Sequence, residues 1–196
     1  MNLDNIKDEQ LAADVKKNLD MVLHENLQLA AGIDYTLFPL LIESIGQARS
    51  IFLIASGRSG FSIRSAAMRL MHLGLNAYFV GDTTTPAIQP GDLLLAASGS
   101  GTTSTIVRAA EKAKQAGAKV IAITAGSSST LTQLSDHHIR IPAAEKQDHG
   151  ASKSKQYAGS LFEQALLLIT DAVFQTLWAI DGTPAEELWK RHANME

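Results

Sequence analysis

Short runs of apolar residues alternate with longer amphipathic stretches over most of this chain, and that alternation predicts its elements. Residues 51–55, 77–80, 93–97, 120–124 and 138–141 have the length and turn-bounded edges of strands. Residues 61–73 and 103–116 repeat apolar positions at helical spacing, the second stretch stopping at Gly117. Strands separated by helices or short connections predict an α/β fold: a five-stranded parallel sheet between two layers of helices. Two helices precede the first strand as an N-terminal extension. Residues 11–31 place Leu11, Val15, Leu19, Val22, Leu23, Leu27 and Ala30 at amphipathic spacing before Gly32, and Asp34 caps a second helix over 35–48. They are expected to cover a sheet edge or to pack on another subunit.

Beyond the last strand, residues 142–159 have no periodicity and carry Lys146, His149, Lys153 and Lys155. A loop of that length in front of the longest apolar helix predicts a lid over a site. That helix spans residues 160–180, with Leu161, Ala165, Leu168, Ile169, Ala172 and Leu177 on its core stripe. Thr183-Pro184-Ala185-Glu186 has the form of a capping box with proline at the first helical position, which predicts a final helix to about Arg191. No fixed-period repeat is present.

Two strand ends stand out chemically. The third predicted strand runs into Ser98-Gly99-Ser100-Gly101-Thr102-Thr103 and then a helix, and the first runs into Ser56-Gly57-Arg58-Ser59-Gly60 and then a helix. Glycines let the backbone turn with its N–H groups exposed, and a helix N-terminus adds unpaired N–H groups and the positive end of its dipole. The hydroxyls of Ser56, Ser59, Ser98, Ser100, Thr102 and Thr103 add neutral donors, so such a loop suits a phosphate dianion better than a metal. Arg58 adds a permanent charge for a phosphate or for sugar hydroxyls. Each loop alone also reads as a polar turn with a good N-cap. Two of them at the carboxyl edge of one parallel sheet point to a ligand site.

Composition narrows the alternatives. With 196 residues and 45% hydrophobic content the chain is expected to form one domain, with helices over 1–48, an α/β core over 49–180 and a helix and tail over 181–196. Cysteine is absent, which leaves no disulfide framework or thiolate zinc site and fits a reducing, cytoplasmic setting. No stretch approaches the roughly 18 uninterrupted apolar residues of a membrane helix. A net charge of −3 gives no general attraction to nucleic acid or an anionic membrane.

Familiar motifs fail on spacing. A Walker loop needs Gly-Lys-Ser or Gly-Lys-Thr, the dinucleotide fingerprint needs a third glycine, and Phe61 stands where a nucleophile elbow has its last glycine. Asp82, after the second strand, sits where a ribose-binding acid would, which keeps a nucleotide site open. His137 and His138 alternate across a strand and cannot chelate a metal together.

The two Ser/Gly loops resemble the paired signatures of the sugar isomerase (SIS) domain. The likeness extends through Ala67-Met68-Arg69-Leu70-Met71-His72-Leu73-Gly74, Thr85-Pro86-Ala87-Ile88, Gly159-Ser160-Leu161-Phe162-Glu163-Gln164 and Lys190-Arg191-His192-Ala193-Asn194, which are similar to the 6-phospho-3-hexuloisomerases. Thr102 and Tyr157-Ala158 depart from that pattern. The resemblance implies a flavodoxin- or Rossmann-like SIS fold. It implies interconversion of D-arabino-3-hexulose 6-phosphate and fructose 6-phosphate without redox or metal cofactor, and a homo-oligomer, usually a tetramer, with sites near subunit boundaries. It makes Glu163 the base that moves a proton through an enediol, where the residues alone read Ser160-x-x-Glu163 as a capping box. His72 and His192 are further candidates, His72 for polarising the carbonyl or shuttling protons and His192 for reaching a neighbour's site. Phosphate and sugar contacts fall to Ser56, Gly57, Arg58, Ser59, Ser98, Gly99, Ser100, Thr102 and Thr103. Isomerisation of another phosphosugar, or phosphosugar sensing without catalysis, are the alternatives.

Overall fold

The computed structural model describes residues 7–143, 154–157 and 159–195. Five strands form one parallel sheet: β1 (Ile51–Ile54), β2 (Ala77–Phe79), β3 (Leu93–Ala97), β4 (Lys119–Thr124) and β5 (His137–Arg140), in the order β2-β1-β3-β4-β5. The chain steps outward from β1 to β2, then crosses back over β1 and builds in the other direction from β3. The carboxyl ends of β1 and β3 therefore flank the switch point of the sheet, and their register pairs Ile54 with Ala96. Whatever follows these two strands emerges side by side.

The strand runs are apolar on both sides because both faces are covered. Ile51, Leu53, Leu93, Leu95, Ile121 and Ile123 face one helical layer: α1 (Asp8–Ala31), α2 (Phe38–Gln47), α3 (Gly57–His72) and α6 (Ser160–Asp181). Phe52, Ile54, Leu94, Ala96, Val120 and Ala122 face α4 (Ser104–Gln115) and the short α5 (Thr130–Leu134). Between β2 and β3 the crossover carries no helix. No single helix among the described residues is long and apolar enough to cross a membrane.

Element boundaries depart from the sequence reading at places with physical causes. α3 begins at Gly57, so the first Ser/Gly loop is itself the helix's opening turn. The second helix starts as a 3₁₀ turn (Tyr35–Leu37), because the Asp34 carboxylate accepts from Thr36 N and Thr36 Oγ1 and tightens that turn. α5 went unread: five mostly polar residues show no period, and a Ser129/Thr132 capping box makes the helix instead. The tail helix α7 (Ala185–Trp189) lacks the predicted capping box, since Pro184, in extended conformation, is the N-cap and no side chain caps the turn. On α1, Val15, Leu19, Leu23 and Leu27 point outward, while Glu25, Asn26 and Leu29 turn into the body. The predicted lid falls largely on residues 144–153 and Ala158, outside the described residues.

The tail folds back on the carboxyl end of α3. Arg191 Nη1 donates to the His72 carbonyl at 2.9 Å, and the His192 ring stacks on the His72 ring with centroids 3.9 Å apart. His72 is buried, and its Nδ1 has no hydrogen-bond partner among the described residues. Burial, then the neighbouring His192 and Arg69, hold its pKa below the ordinary 6.5. His138, whose Nε2 lies 2.8 Å from Thr124 Oγ1, is lowered in the same direction by burial and Arg140. The unfolded chain therefore binds these protons more readily than the fold does, so stability rises with pH through this window and is lost as pH falls below 6.5 towards the folded-state values. Urea unfolding midpoints should drop between about pH 7.5 and about pH 5.5, and the drop should be smaller in His72→Gln than in the unsubstituted protein. An identical drop in both would refute the assignment.

Candidate active site

Each Ser/Gly loop takes its shape from local constraints. After β3, Ser98 is buried and its hydroxyl holds the turn closed, accepting from Gly101 N at 3.1 Å and lying 3.0 Å from Thr103 Oγ1. Gly101 sits at φ +64, and a Cβ there would collide with Ser129 at the start of α5. Glycine is required on both counts. The Gly101 carbonyl accepts from Leu131 N at 3.0 Å and the Gly99 carbonyl from Ala125 N at 3.0 Å, which ties the loop to its neighbours. Thr103 is the N-cap of α4, yet its side chain caps nothing. The same holds for Ser56 at the start of α3. Both helices are thus left with first-turn N–H groups that no side chain satisfies, which is the electrostatic requirement of an anion site.

The two loops line one small cavity of about 180 Å³. Ser56, Gly57 and Ser59 contribute from one side, and Ser98, Gly99, Ser100 and Thr103 from the other. Ser56 Oγ reaches Thr105 Oγ1 across the gap at 3.4 Å. Of the predicted contacts, Thr102 lies outside this lining: it is exposed and its hydroxyl donates to Ser100 Oγ at 3.1 Å. Arg58 lies on the α6 side of the first loop.

Glu163 stands in the first turn of α6, where a carboxylate is favoured by the helix dipole. The sequence alternative of a capping box is removed by the backbone. Gly159, at φ 83, is the N-cap, Ser160 is the first helical residue, and Glu163 N donates to the Gly159 carbonyl at 3.1 Å. Glu163 is 6% exposed, and its Oε2 lies 3.4 Å from Arg58 Nε, while Arg58 Nη1 approaches Ser160 Oγ at 3.4 Å. Ser62 Oγ donates to the Glu163 carbonyl at 2.8 Å, and the Phe162 ring packs on Gly99. The base candidate and both loops are therefore within one neighbourhood, brought there by α3 packing on α6. No three His, Cys, Asp or Glu side chains among the described residues stand together as a metal site.

His72 and His192 are not part of that neighbourhood. They sit at the other end of α3, about 22 Å along the helix from Gly57 at 1.5 Å per residue. His137 and His138 are also elsewhere, on the edge strand β5. Asp82, the ribose candidate, is engaged by Arg64 Nη1 at 2.8 Å. What the sequence reading did not anticipate is the polar tie between α1 and the segment before α6, in which Glu25, Asn26, Gln156 and Gln164 join. Residues 138 positions apart have no local pattern that signals their meeting.

Comparison with known proteins gives the same picture. The SIS domain matches residues 44–168. The chain is 53% identical over 183 residues to the 3-hexulose-6-phosphate isomerase of Mycobacterium gastri, covering 93% of this chain and 92% of that one. It is 40% identical to the 3-hexulose-6-phosphate isomerase of Bacillus subtilis (strain 168), covering 89% and 95%. Among solved structures, a hypothetical protein from Methanococcus jannaschii superposes with a TM-score of 0.77 at 32% identity, over 92% of this chain and 99% of the other. Its structure was taken to imply a 3-hexulose-6-phosphate isomerase. With the paired Ser/Gly loops at the switch point of a 2-1-3-4-5 parallel sheet, the chain belongs to the SIS-domain family.

Proposed function

We propose that this protein is a phosphosugar isomerase that interconverts D-arabino-3-hexulose 6-phosphate and fructose 6-phosphate, the reaction for which its relatives in Mycobacterium gastri and Bacillus subtilis are named. The observation that supports it most is the cavity with two uncapped helix N-termini and seven hydroxyl or glycine positions, with a buried carboxylate beside it. The loop from Ser98 to Thr103 takes the phosphate, and Ser56, Gly57, Ser59 and Arg58 close on the other side. Thr102 supports the loop through Ser100. Glu163 takes the proton from C2, the C3 carbonyl oxygen becomes the second hydroxyl of a 2,3-enediol, and Glu163 returns a proton, in part exchanged with solvent, to C3 as the C2 hydroxyl becomes the carbonyl. The hydroxyl proton passes from O2 to O3, so the reaction balances without an external oxidant or reductant. Arg58 is placed to steady negative charge on these oxygens as it forms.

In this reading the chain is one domain and works in the cytoplasm as a homo-oligomer, a tetramer by the family resemblance. Its net charge offers nothing to a nucleic acid or a membrane surface. Unusually exposed apolar side chains support self-association: Val15, Leu19, Leu23 and Leu27 on α1, Phe61 and Met68 on α3, and Leu168 and Ile180 on α6. His192, half-buried on the tail, reaches a reacting sugar only in the site of a second copy, and His72 acts there through the ring stacked on it.

Three experiments test this reading. Ser100→Ala combined with Thr103→Ala should raise KM for the phosphosugar by about tenfold or more, as loss of charge-assisted hydrogen bonds requires, and an unchanged KM would move the phosphate elsewhere. Glu163→Gln should lower kcat by at least about a hundredfold with phosphate affinity near normal, and should abolish exchange of the C2 proton with solvent deuterium. A folded Glu163→Gln protein that still turns over normally excludes it as the base. Light scattering at micromolar concentration should give a mass that is a multiple of 21.0 kDa, and a monomer would remove His192 from the mechanism.

A further inference from the structure

We infer that Glu25 is a positioning residue of this site: from α1, its buried carboxylate fastens the segment that leads into α6 and so sets where Glu163 stands. The inference rests on the reading of Glu163 as the base. Glu25 belongs to the N-terminal extension, ahead of the matched residues 44–168, and nothing in the mechanism above uses it. The residue as a whole is 9% exposed. A carboxylate removed from water needs its lone pairs satisfied, and among the described residues its donors come from residues 154–156. Oε2 accepts from Ser154 Oγ at 2.6 Å and from Gln156 Nε2 at 3.1 Å, and Oε1 accepts from Lys155 N at 2.7 Å.

The tie continues into α6. Gln164 Nε2 donates to Gln156 Oε1 at 2.7 Å, and Gln164 Oε1 accepts from Asn26 Nδ2 at 2.8 Å. Asn26 Nδ2 also donates to the Val22 carbonyl at 2.9 Å, which orients it on α1. Gln164 is the neighbour of Glu163, and Ser160 N donates to the Tyr157 carbonyl at 3.0 Å just ahead of it. The segment 154–156 is therefore held from α1 on one side and from the first turn of α6 on the other. Burial pushes the Glu25 pKa up, but the hydrogen bonds from Ser154, Lys155 N and Gln156 outweigh it and hold the carboxyl below its ordinary range. The latch is ionised at neutral pH, when charge-assisted hydrogen bonds are strongest.

A buried hydrogen-bonded carboxylate could serve stability alone, so the test must separate the two roles. Glu25→Gln keeps the size but offers one acceptor and turns an NH₂ towards donors, which breaks the latch with little change in packing. A base displaced by about 1 Å loses up to about a hundredfold in rate, so kcat should fall by about tenfold or more. KM and inhibition by inorganic phosphate should stay within about twofold, because the loop over residues 98–103 is held by Ser98 and by Ala125 N and Leu131 N, and shares none of the latch's hydrogen bonds among the described residues. Hydrogen exchange should show the Lys155 amide losing protection while amides of β3 and β4 keep theirs. A Glu25→Gln protein with an unprotected Lys155 amide and full kcat overturns the inference, as does an equal loss in kcat and phosphate affinity. If that variant loses protection in the sheet as well, Ser154→Ala and Gln156→Ala break the same latch from its other end. Full kcat in both overturns the inference, and a fall in kcat at constant KM supports it. Failure of the base assignment is a separate result, visible as full turnover in Glu163→Gln.

Discussion

The parallel pairing of β1 with β3 is the constraint on which the rest depends. Because the chain crosses from β2 over β1 to reach β3, β1 and β3 are adjacent in space, point the same way, and pair Ile54 with Ala96 close to their carboxyl ends. Two helices then start side by side at the same edge of the sheet, α3 at Gly57 and α4 at Ser104. Their dipoles add at one point instead of being spread around the molecule, and their N–H groups converge on the same small cavity. A single residue of slip in register would separate the loops and turn the core residues of β1 towards the wrong layer. The two apolar layers, one under α3 and α6 and the other under α4 and α5, make that slip costly.

A site built on backbone donors has a consequence for its chemistry. Positive potential from two helix ends favours an anion, and among the described residues Arg58 adds a permanent cation on the α6 side. The base candidate enters the same neighbourhood from a third helix, in whose first turn it faces Arg58. The loop over residues 98–103 and the Glu163 carboxylate are held by different elements, so the proposed roles of the two can be perturbed separately.

How much of this was legible in the sequence follows from how local each feature is. The five strands, the two Ser/Gly loops and the long apolar helix depend on runs of a few residues, and all are where the pattern puts them. Gly101 was readable as a turn glycine for the same reason, and it adopts φ +64, whereas the closeness of Ser129 comes from a distant part of the chain. Features that depend on one unexpected dihedral were misread. Gly159 adopts φ 83 and takes the N-cap position, so Ser160 opens α6 where the pattern puts it but is not the cap, and Glu163 stands in the first turn instead of closing a capping box with Ser160. Pro184 likewise takes the N-cap position that the pattern gave to Thr183. His72, a candidate by the family resemblance, lies on the helix that begins at the site, and sixteen residues of helix carry it to the far end.

The features that no local pattern could supply are those joining distant parts of the chain, and they have a common geometry. Ser62 on α3 holds the Glu163 carbonyl, Asn26 on α1 holds the Gln164 side chain, and Glu25 holds the segment before them. The start of α6 is thus tied to two helices by polar contacts in addition to the apolar ones of Leu161, Phe162 and Ala165, while its later turns are held by apolar contacts such as those of Leu166, Val173 and Leu177. Apolar attraction is non-directional. Hydrogen bonds are directional, weakening steeply within a few tenths of an ångström and with loss of alignment. The polar ties therefore add to the first turn of α6, which carries Glu163, an orientational restraint that its apolar contacts alone do not supply.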